Sequence, residues 1–144
     1  SVLIPTGQIA PVEGTPFDFR EPHAIGERIG ADNQQLRNGG GYDHNWVIDR
    51  KTESGIEQVA TVWEPASGRT IEVLSDQPGL QVYSGNFFDG KSIGKYGKPQ
   101  RYRESLALET QKFPDSPNHD NFPSTVLRPG ETYTQVCIYK FGVK

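Results

Sequence analysis

The segment Gly39-Gly40-Gly41-Tyr42-Asp43-His44-Asn45-Trp46 brings a carboxylate and an amide to the start of a predicted strand. Successive side chains alternate between the two faces of a strand, so Asp43 and Asn45 share one face. Such a pair suits a polyhydroxylated ligand, because each hydroxyl both donates and accepts a hydrogen bond. The three glycines would let a ligand or another backbone approach closely. A solvated strand face is the alternative interpretation of this pattern.

A second carboxylate, Glu109, interrupts the otherwise apolar run Leu106-Ala107-Leu108. Alternation groups Glu109 with Ala107 and Gln111, which is typical of a strand face exposed to water. The functional interpretation is a carboxylate set partly away from water, an environment that favours a general base. The residue types alone do not decide between these two interpretations.

One motif resembles a phosphate-binding loop but lacks its structural context. Residues 85–92 fit the pattern G-x-x-x-x-G-K-[ST], in which backbone N–H groups and the start of the next helix surround phosphate oxygens. The following residues, 93–99, contain two glycines and a proline and cannot continue as a helix. We therefore expect no nucleotide site here.

The histidines and the cysteine do not indicate a metal site or a nucleophile. His23, His44 and His119 are far apart and lack the spacing of metal ligands. We expect His44 to be a hydrogen-bonded histidine on its strand. Cys137 is predicted to be a buried, inert thiol in the middle of a strand.

The elements that must position these residues are predicted to be strands. The sequence contains 16 Gly and 11 Pro and has no stretch with convincing helical spacing, apart from a short helix expected at 24–29. The long stretches 85–104 and 114–130 are predicted loops. The sequence therefore predicts an all-β fold, an antiparallel β-sandwich with long loops and consecutive strands paired. Its six strand-like segments are rich in Val, Ile, Thr and aromatic residues: Tyr42–Arg50, Ile56–Glu64, Arg69–Leu74, Leu80–Ser84, Ser105–Phe113 and Glu131–Phe141.

Charge and composition exclude several classes of partner. The formal net charge of −3 leaves no basic surplus for nucleic acid or an anionic membrane. No apolar run approaches the length of about 20 residues that spans a bilayer, so we expect a soluble chain. The single cysteine and the absence of an N-x-[ST] site fit a cytoplasmic protein without excluding an extracellular one. The chain begins with Ser1 and has no Met, which predicts a piece of something longer.

Several motifs, taken together and in order, resemble the aldose 1-epimerase family across nearly the whole chain. They comprise residues 15–20, 41–45 and 68–73, the run Asp76-Gln77-Pro78-Gly79-Leu80-Gln81-Val82-Tyr83-Ser84-Gly85-Asn86, the run Leu108-Glu109-Thr110-Gln111 with Phe113-Pro114-Asp115, and residues 121–131.

The resemblance implies half of a β-supersandwich enzyme that interconverts the α and β anomers of free hexoses such as galactose and glucose, with no cofactor and no metal. It places the catalytic base on Glu109, because that residue occupies the position of Glu in the family's L-E-T-Q strand. It also implies that Asp43 and Gln81 bind sugar hydroxyls. Tyr83, two residues after Gln81 and on the same face, is expected to pack against the sugar ring.

The resemblance also implies that the general acid lies on an N-terminal half, which we expect this sequence to lack. We therefore expect residues 1–144 to be the C-terminal part of a single aldose 1-epimerase-like domain, active only together with that N-terminal half as a separate chain. Two positions beside the base also depart from the family, with Glu104-Ser105-Leu106 and Lys112 where many members have histidines. The alternative function is a catalytically inactive carbohydrate-binding module of the same fold.

Overall fold

The computed structural model describes residues 3–144, and most of its regular structure is β-strand. The six strands lie within or beside the predicted segments, and two short α-helices precede them. They are α1 (Ile25–Arg28), α2 (Gln34–Gly39), β1 (Asp43–Val47), β2 (Glu57–Trp63), β3 (Arg69–Ser75), β4 (Gly79–Tyr83), β5 (Ala107–Gln111) and β6 (Cys137–Val143). Neither α-helix is long and apolar enough to cross a membrane, and no other helix among the described residues is.

The strands form two three-stranded sheets, in the orders β1-β4-β5 and β2-β3-β6. The all-β, antiparallel prediction is confirmed. The pairing of consecutive strands is confirmed only for β2 with β3 and for β4 with β5, because β1 pairs with β4 and β6 pairs with β3. Chain contacts divide the protein into two compact units, one formed by residues 3–45 and 81–109 and the other by residues 46–80 and 110–144.

Aromatic packing around Tyr42 forms the centre of the first unit. Tyr42 is 1% exposed, and its hydroxyl donates a hydrogen bond of 2.8 Å to the carbonyl oxygen of Pro16. The rings of Phe17 and Phe19 meet Tyr42 edge-on, with centroids 5.8 and 5.4 Å away. Burial raises the pKa of Tyr42, since the interior disfavours a phenolate. The residue that precedes Asp43 is thus fixed in a packed core.

Antiparallel pairing orders the second unit. Strand β3 pairs with β2 from Glu57↔Ser75 to Trp63↔Thr70, with one irregularity between Gln58 and Ala60. On its other side β3 pairs with β6 from Arg69↔Val143 to Ser75↔Cys137. In an antiparallel sheet, side chains directly opposite each other on neighbouring strands point to the same face. Each set of three paired residues, one from each of β2, β3 and β6, therefore shares a face.

Two predicted details of β6 are wrong for a physical reason. The strand was expected from Glu131 but begins at Cys137, because the main chain just before it bonds elsewhere. The N–H of Val136 donates to both carboxylate oxygens of Asp76, at 3.1 and 3.2 Å, and its carbonyl accepts from the Asp76 N–H. Cys137 is consequently the first residue of its strand and is half-buried rather than buried in mid-strand.

Candidate functional site

A buried polar network fixes the start of β1, the strand that carries Asp43. Asn86 is 8% exposed, and its Nδ2 donates to the carbonyl oxygens of Gly39 at 3.0 Å and Tyr42 at 2.9 Å. The Ser84 hydroxyl accepts from the Tyr42 N–H at 3.1 Å and lies 2.7 Å from Asn86 Oδ1. Each group has a partner, so the network rigidifies the backbone on which Asp43 begins.

Gly40 and Gly41, which precede Asp43 in the sequence, allow the backbone to lie close to the Asn86 side chain. Gly40 has φ +65° and caps α2, while Gly41 has φ +142°. A Cβ added to Gly41 would lie 2.4 Å from Oδ1 of Asn86, which is closer than van der Waals contact permits. The structure thus uses the glycines for the approach of another part of the chain, which is one of the two roles that the sequence left open.

Asp43 and Gln81, the two residues expected to bind sugar hydroxyls, meet on the neighbouring strands β1 and β4. Nε2 of Gln81 donates a hydrogen bond of 2.8 Å to Oδ1 of Asp43. This bond fixes which end of the Gln81 amide faces the carboxylate. The other end, Oε1, is buried and has no hydrogen-bond partner among the described residues. A buried acceptor of this kind is costly to leave unpaired, so it favours a ligand that donates a hydrogen bond there.

Glu109 lies on β5, the strand beside β4. Its side chain is exposed, and within residues 3–144 it makes no hydrogen bond or ion pair. The next residue, Thr110, is 8% exposed, so the strand presents Glu109 on the face opposite to a buried position. Among residues 3–144 Glu109 therefore lies on an exposed strand face, and its role as a base stays a prediction.

The structure holds β5 through a contact that sequence reasoning missed. Nε2 of Gln135 donates to the carbonyl oxygen of Thr110 at 2.6 Å, and Oε1 of Gln135 accepts from the Tyr133 hydroxyl at 2.9 Å. Strand β5 is at the edge of its sheet, so this side chain bonds a backbone group next to Glu109. No signal in the sequence points to Gln135, because it lies 25 residues from Thr110.

Tyr83 faces the same side of β4 as Gln81 by alternation, but its hydroxyl has a structural partner. The Phe87 N–H donates to the Tyr83 hydroxyl at 2.9 Å, and the ring of Phe87 stacks on that of Tyr83 at an interplanar angle of 16°. Phe88 meets the same ring edge-on, with centroids 5.9 Å apart. Tyr83 thus organises the turn after β4, and its proposed contact with a sugar stays a prediction.

The three histidines have local partners. Nδ1 of His44 accepts from the Asp43 N–H at 3.0 Å, and burial lowers the pKa of His44. His23 pairs with Glu27 at 3.1 Å, and His119 pairs with Asp115 at 3.2 Å. The part of the chain that the structure describes contains no group of three His, Cys, Asp or Glu side chains able to hold a metal ion.

The phosphate-loop pattern at residues 85–92 does not form a phosphate-binding loop. No α-helix follows it: a single 3-10 turn at Lys95–Gly97 is enclosed by an isolated β-bridge between Ile93 and Pro99. Lys91 pairs with Asp89 at 2.8 Å, two residues away. The local structure therefore lacks the α-helix that a phosphate-binding loop requires.

Comparison with known proteins gives a consistent family. The aldose 1-epimerase family profile matches residues 1–140. Galactose mutarotase of Mus musculus is 45% identical over 141 residues, which are 98% of this chain and 39% of the mouse protein. Aldose 1-epimerase of Escherichia coli K12 is 38% identical over 140 residues, 96% of this chain and 40% of the bacterial protein. This chain therefore spans about two fifths of the length of these relatives.

A solved structure supports the same relationship. The GalM/aldose epimerase homologue from C. elegans superposes with a TM-score of 0.82 at 32% identity, covering 97% of this chain and 40% of that one. The likeness thus extends from motifs to the path of the backbone. The extent of the profile match, the identities and this superposition agree: the chain belongs to the aldose 1-epimerase family.

Proposed function

We propose that residues 1–144 form the C-terminal part of a single aldose 1-epimerase-like domain and supply the base and part of the sugar site. The substrates are free hexoses such as galactose and glucose. Glu109 is the base, Asp43 and Gln81 bind sugar hydroxyls, and Tyr83 lies against the sugar ring. The remainder of the domain supplies the general acid.

The paired Asp43 and Gln81 side chains are the observation that carries this proposal. Their 2.8 Å hydrogen bond orients the Gln81 amide and leaves its buried Oε1 as an acceptor without a partner among the described residues. A sugar hydroxyl would donate to Gln81 Oε1, and a second would donate to the Asp43 carboxylate. Two fixed acceptors on adjacent strands suit a ligand with several adjacent hydroxyls.

Glu109 is suited to proton transfer because its carboxylate is accessible and has no cation paired to it in residues 3–144. Thr110 next to it is fixed by Gln135, so the strand that carries the base is held at that point. General base catalysis requires this kind of positioned acceptor.

The reaction follows from these roles. Glu109 takes the proton of the C1 hydroxyl, the C1–O5 bond breaks, and the general acid gives a proton to the ring oxygen. The result is the open-chain aldehyde. Rotation about C1–C2 presents the other face of the carbonyl, and the reverse proton transfers close the ring as the other anomer. No redox change occurs, and the proton that Glu109 accepts is returned to C1–O on closure.

The test is a binding measurement by calorimetry with galactose and glucose. It uses this chain together with the complementary segment, which we define as the part of the mouse relative outside the 141-residue match. Gln81→Leu removes the orphan acceptor and should weaken binding at least tenfold, since a charged or buried hydrogen-bonding group contributes about 1.5–3 kcal/mol. The control, Gln58→Leu, alters an exposed residue of β2 and should stay within twofold.

Three outcomes have distinct meanings. Loss of binding in Gln81→Leu alone supports the site. Equal binding by both variants overturns the role of Gln81. Binding without any turnover by the wild-type assembly identifies the inactive carbohydrate-binding module instead, because the Asp43 and Gln81 pair would hold a sugar with or without chemistry.

A further inference from the structure

His44 follows Asp43 on β1, and its half-buried ring is held by three neighbours. The Asp43 N–H donates a hydrogen bond of 3.0 Å to Nδ1 of His44. The ring also hydrogen-bonds the backbone of Gln35 in α2, a contact that raises its pKa and is therefore a bond donated to the carbonyl oxygen. The Phe17 ring meets it edge-on, with centroids 4.7 Å apart. Because Nδ1 accepts, the neutral ring carries its hydrogen on Nε2, the nitrogen that donates to Gln35.

The Asp43 N–H lies at the outer edge of its sheet. Tyr42, the residue before it, bonds towards β4: its N–H donates to the Ser84 hydroxyl at 3.1 Å, and its carbonyl oxygen accepts from the Ser84 N–H at 3.0 Å. Successive N–H groups of an extended chain point to opposite sides, so the Asp43 N–H points away from β4. Within residues 3–144, β1 is an edge strand of the sheet β1-β4-β5. The His44 ring therefore supplies the acceptor that another strand would supply at an inner position.

We propose that His44 is a positioning residue for sugar binding, whose neutral ring accepts the Asp43 N–H and so holds the Asp43 carboxylate in place beside Gln81. Gln81 Nε2 fixes one carboxylate oxygen of Asp43 at 2.8 Å. The bond to His44 fixes the backbone from which that carboxylate extends. The inference rests on the proposed function, because it takes Asp43 to be a sugar-binding residue.

The charges around His44 leave the ring neutral near neutral pH. The Asp43 carboxylate favours the imidazolium, but burial opposes it and is the larger effect, so the pKa of His44 is lowered. The charged side chains of α2 and of the residues next to Phe17 form ion pairs of their own: Arg37 with Asp32, and Asp18 with Arg20.

Protonation of His44 would break the contact with Asp43. An imidazolium carries a hydrogen on both nitrogens, so Nδ1 can no longer accept from the Asp43 N–H. Two donors would then face each other, and the ring would have to turn away from the strand. Sugar affinity should therefore fall together with the fraction of neutral ring as the pH is lowered.

Two substitutions separate the acceptor from the rest of the ring. His44→Asn keeps an oxygen, Oδ1, at the position of Nδ1 and does not titrate, whereas His44→Leu keeps an apolar side chain and has no acceptor. The measurement is calorimetry with galactose at about pH 7.5, on this chain together with the complementary segment. Binding should weaken about fivefold or more in His44→Leu and stay within about twofold of wild type in His44→Asn. The matched control is His119→Asn, which alters a histidine paired with Asp115 and should bind as wild type does.

Two further measurements report on the folded protein directly. Nitrogen-15 spectra of the His44 ring follow the loss of the neutral form from about pH 8 to about pH 5, and the wild-type affinity for galactose should fall in parallel. His44→Asn should lack this fall. Hydrogen exchange of the Asp43 amide needs no sugar, and it should be about tenfold or more faster in His44→Leu than in wild type or His44→Asn.

The outcomes distinguish this inference from the proposed function. Weaker binding and faster exchange in His44→Leu, with both retained in His44→Asn, support the inference. Equal weakening in the two variants overturns it, as does loss of the neutral ring without a fall in affinity beyond that of His44→Asn. Weak binding by Asp43→Ala together with wild-type affinity in His44→Leu overturns this inference alone. Wild-type affinity in Asp43→Ala overturns the proposed function, and with it the role of His44 in sugar binding.

Discussion

Gly41→Ala tests whether the buried network at Asn86 determines the position of Asp43. Gly41 has φ +142°, a conformation that residues with a side chain rarely adopt. The added Cβ would lie 2.4 Å from Oδ1 and 2.9 Å from Cγ of Asn86. Asn86 cannot yield without cost, because its Nδ2 bonds both Gly39 and Tyr42.

Two costs set the expected magnitude. Backbone strain at a left-handed, non-glycine position costs about 1–3 kcal/mol. Displacing Asn86 leaves buried donors or acceptors unsatisfied, at about 1–3 kcal/mol more. The free energy of unfolding should therefore fall by about 2–6 kcal/mol. Gly14→Ala is the matched control, because Gly14 has φ +70° with nothing within 4 Å of an added Cβ, and it should lose only the strain of about 1–2 kcal/mol.

Urea unfolding of both variants, followed by tryptophan fluorescence, gives the comparison. Equal losses of stability in Gly41→Ala and Gly14→Ala would refute the argument, since the contact with Asn86 would then contribute nothing. A second measurement is sugar binding by the assembled protein. It should weaken in Gly41→Ala and not in Gly14→Ala, because only the first disturbs the backbone before Asp43.

Three further predictions concern single side chains. Asp43→Ala removes the acceptor for Gln81 Nε2, and calorimetry should show at least tenfold weaker sugar binding. Burial lowers the pKa of His44 from 6.5, so the unfolded chain binds this proton at a higher pH than the folded chain does. The urea midpoint of unfolding should therefore decline as the pH falls below about 6.5. The decline should be less steep in His44→Asn. Hydrogen bonds from Arg20 lower the pKa of Asp18 from 3.8 to about 2. The stabilisation from Asp18 is thus present above about pH 3.8 and lost as the pH falls through about 2, and carboxyl NMR should show Arg20→Ala returning this pKa towards 3.8.

The strands were predictable because their signal is local. Strand β3, for example, was expected at Arg69–Leu74 and extends one residue further, to Ser75. Turn residues bound each segment, and β-branched and aromatic residues fill it. The order of strands in the sheets was not predictable in this way. Ser75 and Cys137 face each other across 61 residues of intervening chain, and no local pattern encodes that pairing.

Helix α2 was missed because it is too short for periodicity to show. It has six residues, whereas an apolar stripe needs about three turns to stand out. Its ends do carry signals: the Asn33 side chain accepts from the Gln35 N–H at 2.8 Å, and Gly40 ends the helix in the left-handed conformation. Asparagine before a helix and glycine after it are the preferred caps, so a search for caps would have found it.

The contacts that surround the candidate site residues could not be predicted from the sequence. Alternation and the family motifs singled out Asp43 and Gln81, and the structure brings them within 2.8 Å. The supports of the site, Asn86 and Gln135, act across 44 and 25 residues. Side-chain bonds to distant backbone depend on the tertiary fold, which one sequence does not display. The catalytic role of Glu109 stays a prediction.

The most direct test of the account is the rate of mutarotation of α-galactose and α-glucose by this chain with the complementary segment. Glu109→Gln should lower kcat by about 10²–10⁴-fold with sugar affinity retained, because it removes a general base and keeps the shape of the side chain. Glu53→Gln, an exposed carboxylate in a loop, should leave the rate unchanged. Full turnover by Glu109→Gln would contradict the account, as would a wild-type assembly that binds sugar and never interconverts its anomers.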